Sequence, residues 1–195
     1  MYFSGDMGLH LGIGSDVVPE LAAHGMPVVG VSTPAIFGHR RDRAFVDDLV
    51  ADAVRDTLNR THAKKVVLVG QSYGSDILAA GAPALPDDLR SKVAALVLVV
   101  PGRTGYFRAD PTGLHYRGTP DSVPAKSLEA ARWADIVCIY GAREHDSLCP
   151  QLLGSKATVI ELPGGHFLKG DSTRLTSAIF TAIGPAIASV QKSHS

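Results

Sequence analysis

The chain has 195 residues, 45% of them hydrophobic, which suits one full-sized core better than two small ones. Lys plus Arg and Asp plus Glu each total 19, so no net charge favours nucleic acid or an anionic membrane surface. No apolar run reaches the roughly 20 residues of a transmembrane helix. The start, Met1-Tyr2-Phe3-Ser4-Gly5-Asp6, lacks the basic and apolar regions of a signal peptide. The expectation is a single domain that is not membrane-spanning.

Along the chain, the opening residues read as the end of a strand, which predicts a fragment or mature domain of a longer precursor. Apolar, β-branched runs bounded by turn residues follow at 27–31, 65–69, 93–100, 136–140 and 158–162. Their near-continuous apolarity predicts strands buried on both faces. Helical spacing marks 15–24, 41–59, 72–80, 127–132 and 174–190. In 41–59, Phe45, Leu49, Val50, Ala53, Val54 and Leu58 fall on one face, and Asp47, Asp48, Asp52 and Asp56 fall elsewhere as a solvated face. Alternating strands and helices predict an α/β fold: a mainly parallel sheet of about six strands, flanked by helices on both faces. The stretch 101–123 is long, rich in Gly and Pro, and holds Tyr106, Phe107, His115 and Tyr116. Such loops are commonly functional, and this one is expected to wall or cover the site, with Tyr106 and Phe107 against substrate.

Sites in parallel sheets lie beyond the carboxyl ends of the strands. The run Val66–Val69 enters Gly70-Gln71-Ser72-Tyr73-Gly74 and then a helical segment, the strand-turn-helix context of a nucleophile elbow. Ser72 is the expected nucleophile. A serine hydroxyl needs a base, and the base needs an orienting acid, in the chain order Ser, acid, His. His166, in Leu162-Pro163-Gly164-Gly165-His166-Phe167, follows the last strand and is the expected base. Glu144 and Asp146, after the 136–140 strand, are the candidate acids. Asp146 is preferred because it stands further from the strand, leaving Glu144 to hold the loop or meet substrate. The oxyanion would take the N–H of Tyr73 and one from the glycine-bearing Ser4–Gly8 loop, assigned to Asp6 with Met7 as the alternative. No complete Gly-x-Gly-x-x-Gly follows a strand, which argues against a dinucleotide site. No metal or organic cofactor is required. Cys138 and Cys149 have the wrong spacing for zinc. The spacing leaves open a single disulfide or one buried strand thiol plus one free loop thiol.

Tyr2-Phe3-Ser4-Gly5-Asp6, Gly70-Gln71-Ser72-Tyr73-Gly74-Ser75-Asp76, Cys138-Ile139-Tyr140-Gly141 with Glu144, Asp146 and Cys149, and Leu162-Pro163-Gly164-Gly165-His166 together resemble the VirJ/AcvB family of bacterial virulence proteins. The resemblance spans nearly the whole chain. It implies an α/β-hydrolase exported to the periplasm, linked to virulence or type IV secretion, with members similar to hydrolases of lysyl-phosphatidylglycerol. It favours a Cys138–Cys149 disulfide. The chain departs from the family in carrying Met7 where a second glycine is usual, and His166-Phe167-Leu168 where His-His-Phe is usual.

The expected function is a serine esterase acting on a small-molecule or lipid ester, in which the lysyl ester of phosphatidylglycerol is the family's suggestion. Asp6, Asp76, Asp110 or Glu144 would meet its ammonium groups. The alternative is a hydrolase fold kept as a low-turnover binding or scaffold module of a secretion system. A thioesterase or peptidase would use the same triad.

Overall fold

The computed structural model describes residues 1–114 and 116–192, with side chains through residue 187. His115, noted above in the 101–123 stretch, lies outside the described residues. The elements in chain order are β1 (Tyr2–Phe3), α1 (Gly14–Ala23), β2 (Gly30–Val31), α2 (Thr33–Phe37), α3 (Arg43–Thr61), β3 (Val66–Gln71), α4 (Tyr73–Gly81), α5 (Asp87–Arg90), β4 (Val93–Val99), α6 (Pro124–Leu128), β5 (Ile136–Gly141), β6 (Thr158–Leu162) and α7 (Ser172–Lys192). The strands form one sheet in the order β2-β1-β3-β4-β5-β6, and every pairing is parallel.

The apolar runs have the composition that a doubly covered sheet demands. Leu68, Leu96, Leu98 and Cys138 pack on one face with Val46, Val50, Val54 of α3, Ile77 and Leu78 of α4, and Leu128 of α6. Val69, Val97, Val99, Val137 and Ile139, alternating with them, pack on the other with Val17 and Leu21 of α1 and Leu175, Ile179 and Ile183 of α7. Two-residue periodicity along each strand sends successive side chains to opposite layers, so neither parity can be polar.

Helix α3 starts where Asp42 accepts the Phe45 N–H at 2.8 Å, a side-chain cap on an otherwise orphan donor. Its core-facing line is Val46, Val50, Val54 and Thr57, which keeps Val50 and Val54 of the expected stripe and adds Val46 and Thr57. Phe45, Leu49, Ala53 and Leu58 are only partly buried. Along the acidic face, Asp47, Asp52 and Asp56 pair with Arg43, Arg55 and Arg60. β2 is shorter than expected because, as an edge strand, it pairs only with the two residues of β1. α6 starts upstream of residue 127 because Pro124 occupies its first turn, where the fixed φ suits a helix and no N–H is missed.

The sheet order sets the place of the site. The connection from β1 leads outward to β2, and the chain then returns to β3 on the opposite side and continues toward β6. The carboxyl ends of β1 and β3 therefore open a crevice between connections that leave in opposite directions, the position at which parallel sheets bind ligands.

Cys138 of β5 and Cys149 are joined in a disulfide with Cα atoms 5.4 Å apart, and both are fully buried. The bond closes the loop that leaves β5 carrying Glu144 and Asp146. A loop of this length restricts the unfolded chain by about 3 kcal/mol in the chain-entropy account. Replacing both cysteines by alanine is therefore expected to lower Tm by roughly 10 °C. An unchanged melting curve would show that the bond constrains nothing.

Candidate active site

Ser72 sits between β3 and α4 with φ 50° and ψ −121°, a left-handed conformation that costs a residue bearing a Cβ about 1–3 kcal/mol. The turn is held from several sides. The Ser72 N–H donates to Val99 O at 2.8 Å, while the N–H groups of Ser75 and Asp76 donate to Ser72 O. The buried Ser75 hydroxyl lies 2.7 Å from Gly70 O and accepts the Val99 N–H at 3.0 Å, tying the elbow to β4. A Cβ on Gly74 would lie 2.4 Å from the carbonyl oxygens of Phe3 and Ser4. Only glycine lets α4 approach the end of β1 this closely.

His166 reaches Ser72. Its Nε2 is 2.8 Å from Ser72 Oγ, and its Nδ1 is 2.5 Å from Glu144 Oε1. Here the geometry corrects the sequence reading: Glu144, not Asp146, meets the histidine. The loop turns as soon as it leaves β5, with the Glu144 N–H on Gly141 O at 2.8 Å. It is zipped to the neighbouring loop by Ala142 N–H to Leu162 O and Arg143 N–H to Gly164 O. A Cβ on Gly141 would lie 2.3 Å from Gly165 O, so the loops that carry Glu144 and His166 touch. This brings residue 144 beside residue 166 at once, and the longer Glu side chain spans what remains. Its second oxygen faces the Gly141 N–H at 3.4 Å, and the side chain is 7% exposed. Asp146, past the turn, is 80% exposed and lies 3.9 Å from Arg103.

The loop after β1 lies against Ser72: a Cβ on Gly5 would be 3.5 Å from Ser72 Cβ. The loop closes with Gly8 N–H on Gly5 O. Thr33, at the start of α2, braces it, since its hydroxyl faces Ser4 O at 3.1 Å and Gly5 O at 3.0 Å while its N–H donates to Ser4 Oγ. Tyr73, the first residue of α4, has a backbone N–H without an intrahelical acceptor by its position. The positive end of the α4 dipole lies there as well.

A cleft of about 560 Å³ surrounds these groups, lined among others by Asp6, Met7, Gln71, Ser72, Tyr73, Asp76, Tyr116, Glu144, Asp146 and His166. The 101–123 segment does wall it, through Gly102, Thr104, Pro111 and Tyr116, but not through the residues expected to meet substrate. Phe107 is a core residue, 2% exposed, because the backbone on either side of it is pinned: its N–H donates to Asp121 and its carbonyl accepts from Arg41. Tyr106 stands behind the wall, stacked on Tyr116 with ring centroids 5.6 Å apart. Tyr116 is what reaches the cleft, and its hydroxyl donates to Asp6 at 3.2 Å. Asp110 is buried and turned back on its own loop, accepting from Thr112. Among the described residues, no group of three or more His, Cys, Asp or Glu is placed to hold a metal ion.

Gln71 and Asp76 flank Ser72 in the chain. Gln71 Oε1 accepts from the Tyr2 hydroxyl, which fixes the side chain at the cleft wall. Asp76 accepts the Gly102 N–H at 2.9 Å. Burial raises the Asp76 carboxyl well above its ordinary value of 3.8. The Gly102 bond opposes this, and the charges of Asp146, Asp6 and Glu144 add to it. The position one helical turn after Ser72 was the available sequence signal for a cleft-facing side chain. A carboxyl whose native pKa exceeds the unfolded value holds its proton more tightly when folded, so stability falls as pH rises through the native value. The Asp76→Asn protein, which keeps an acceptor for Gly102, is therefore expected to melt above the wild type at pH 7, with the gap closing toward pH 4. A gap independent of pH would contradict this.

The family described as bacterial virulence protein (VirJ) matches residues 1–186. Among curated protein sequences, none matches the chain. Solved structures share the α/β-hydrolase fold. Est1E from Butyrivibrio proteoclasticus is 15% identical, with TM-score 0.64 over 96% of this chain and 87% of that one. An α/β-superfamily protein from Xanthomonas campestris pv. campestris is 16% identical, with TM-score 0.59 over 96% of each chain. The NocB thioesterase domain, solved as a covalent complex with a fluorophosphonate nocardicin G analogue, is 17% identical, with TM-score 0.57 over 94% of this chain and 93% of that one.

Proposed function

The chain belongs to the VirJ family of bacterial virulence proteins, and from that premise we propose that it is a serine hydrolase of carboxylic esters, with Ser72 as nucleophile, His166 as base and Glu144 as the orienting acid. The observation that carries this reading is the continuous contact from Ser72 Oγ to His166 Nε2 and from His166 Nδ1 to Glu144 Oε1, at 2.8 and 2.5 Å.

In this mechanism His166 takes the Ser72 proton as Oγ attacks the ester carbonyl carbon. The tetrahedral oxyanion is held by the Tyr73 N–H and, as its second donor, the Asp6 N–H. The charge of Glu144 stabilises the imidazolium and keeps the Nδ1–H tautomer. Collapse expels the alcohol, which takes the proton from Nε2. Water, deprotonated by His166, then cleaves the acyl-enzyme and releases the acid.

Within esters we assign the aminoacyl class, with the lysyl ester of phosphatidylglycerol as the substrate to test. Family membership supports this, as does a cleft whose lining places Asp6, Asp76, Glu144 and Asp146 around the nucleophile. The positive charge of an α-ammonium group on the acyl chain would favour release of the Asp76 proton to solvent and then pair with the carboxylate. We place the reaction in the periplasm, a choice supported by the buried Cys138–Cys149 bond, since such bonds persist in oxidising compartments.

The test is labelling of the purified protein with a fluorophosphonate probe, followed by turnover of matched ester, thioester and amide substrates. Labelling together with preferential ester cleavage is the expected result. A folded protein that takes no label would sink the hydrolase reading in favour of a binding module. A thioester preference would reassign the class and leave the triad in place.

A further inference from the structure

Among the described residues, six large hydrophobic side chains remain exposed; Val123 and Leu153 stand away from the cleft lining, and the other four are grouped. Met7 is 46% exposed, Leu11 58%, Leu114 62% and Phe167 67%. These four come from three separate loops, yet they gather at one place. Met7, Leu11 and Phe167 line the catalytic cleft, and Leu114 lies between Pro111 and Tyr116, which line it too. No local packing accounts for this, because loop tips are ordinarily polar and a cluster of exposed apolar side chains marks an interaction surface.

From this rim we infer that the mouth of the cleft docks on a lipid bilayer surface, so that an ester passes from the bilayer into the site without crossing water. The inference rests on the esterase reading and adds the physical state of the substrate to it. Two observations select a bilayer over a protein as the occupant. Met7, Leu11 and Phe167 border the same cleft as Ser72, and a protein seated on them would stopper it, whereas a bilayer both covers the rim and supplies substrate. Exposed basic side chains are also interleaved with the apolar ones in the chain: His10 beside Leu11, Arg117 after Leu114, and Lys169 after Phe167. Apolar side chains that enter the acyl boundary, flanked by bases at head-group level, suit an anionic membrane surface.

The test uses the whole chain carrying Ser72→Ala, which separates docking from turnover, and vesicles of phosphatidylcholine and phosphatidylglycerol in flotation. The protein is expected to float with the vesicles, and Leu114→Ser with Lys169→Ser is expected to weaken this about tenfold or more. Neither residue lines the cleft. With Ser72 restored, the same double variant is expected to hydrolyse a short water-soluble ester at the wild-type rate and an ester embedded in vesicles more slowly. Failure of the rim-intact protein to float, equal flotation of the variant, or an equal loss on the soluble ester would each overturn the inference. Flotation by a protein that cleaves no ester would leave the docking surface standing and remove the esterase reading alone.

Discussion

Replacing Ser72 by alanine is expected to abolish fluorophosphonate labelling and to lower kcat by roughly ten-thousandfold or more, since the members of a triad act as a unit. The fold should survive, because the elbow is held by backbone bonds to Val99 and by the Ser75 hydroxyl, none of which involves Ser72 Oγ. A second substitution separates chemistry from strain. Ser72 adopts φ 50°, which alanine tolerates no better than serine but glycine adopts freely. Ser72→Gly should therefore be as inactive as Ser72→Ala and yet melt a few degrees higher, for a strain of about 1–3 kcal/mol. If the alanine protein kept its label, the nucleophile would lie elsewhere. If the glycine protein melted lower than the alanine protein, the turn would not be strained.

Glu144→Gln is expected to lower kcat by roughly a hundredfold to ten-thousandfold, while Asp146→Asn stays within about threefold of wild type. The substitution at 144 keeps shape and hydrogen-bonding capacity but removes the charge that stabilises the imidazolium. It also lets the amide present the wrong group to His166 Nδ1. At 146 the carboxylate is mostly in water, and its contact with Arg103 is a long surface ion pair of little energetic weight. Because the expected effects differ so widely, kcat measured on one soluble ester decides between the two carboxylates. A larger loss at 146 than at 144 would mean that the loop rearranges to exchange them when substrate binds.

These two residues also show where sequence reading stops. Both follow β5, both have the right charge, and both lie within three positions of each other. The choice depended on how sharply the chain turns at Gly141 and on its contact with Gly165, a property of two loops whose residues Glu144 and His166 stand 22 apart in sequence. The same limit appears at residues 106 and 107. An aromatic pair in a long glycine-rich loop reads as a substrate wall, but bonds from Arg41 and Asp121 to the Phe107 backbone fold Phe107 into the core and leave Tyr116 at the cleft. The rim of Met7, Leu11, Leu114 and Phe167 was invisible for a related reason, as its members are scattered over three loops that lie far apart in the chain.

The elbow at Ser72 was legible in the sequence alone because its causes are local. A buried strand, two small residues and a helix must follow one another within a dozen positions for a serine to be held at that angle. The doubly covered sheet was legible for the same reason, since strands buried on both faces have no room for polar alternation. What the tertiary structure decided were pairings across the fold that the residues left open: Glu144 with His166, and Cys138 with Cys149 in place of one buried and one free thiol. Local patterns follow from backbone geometry and burial within one segment, whereas these partners depend on where separate segments meet.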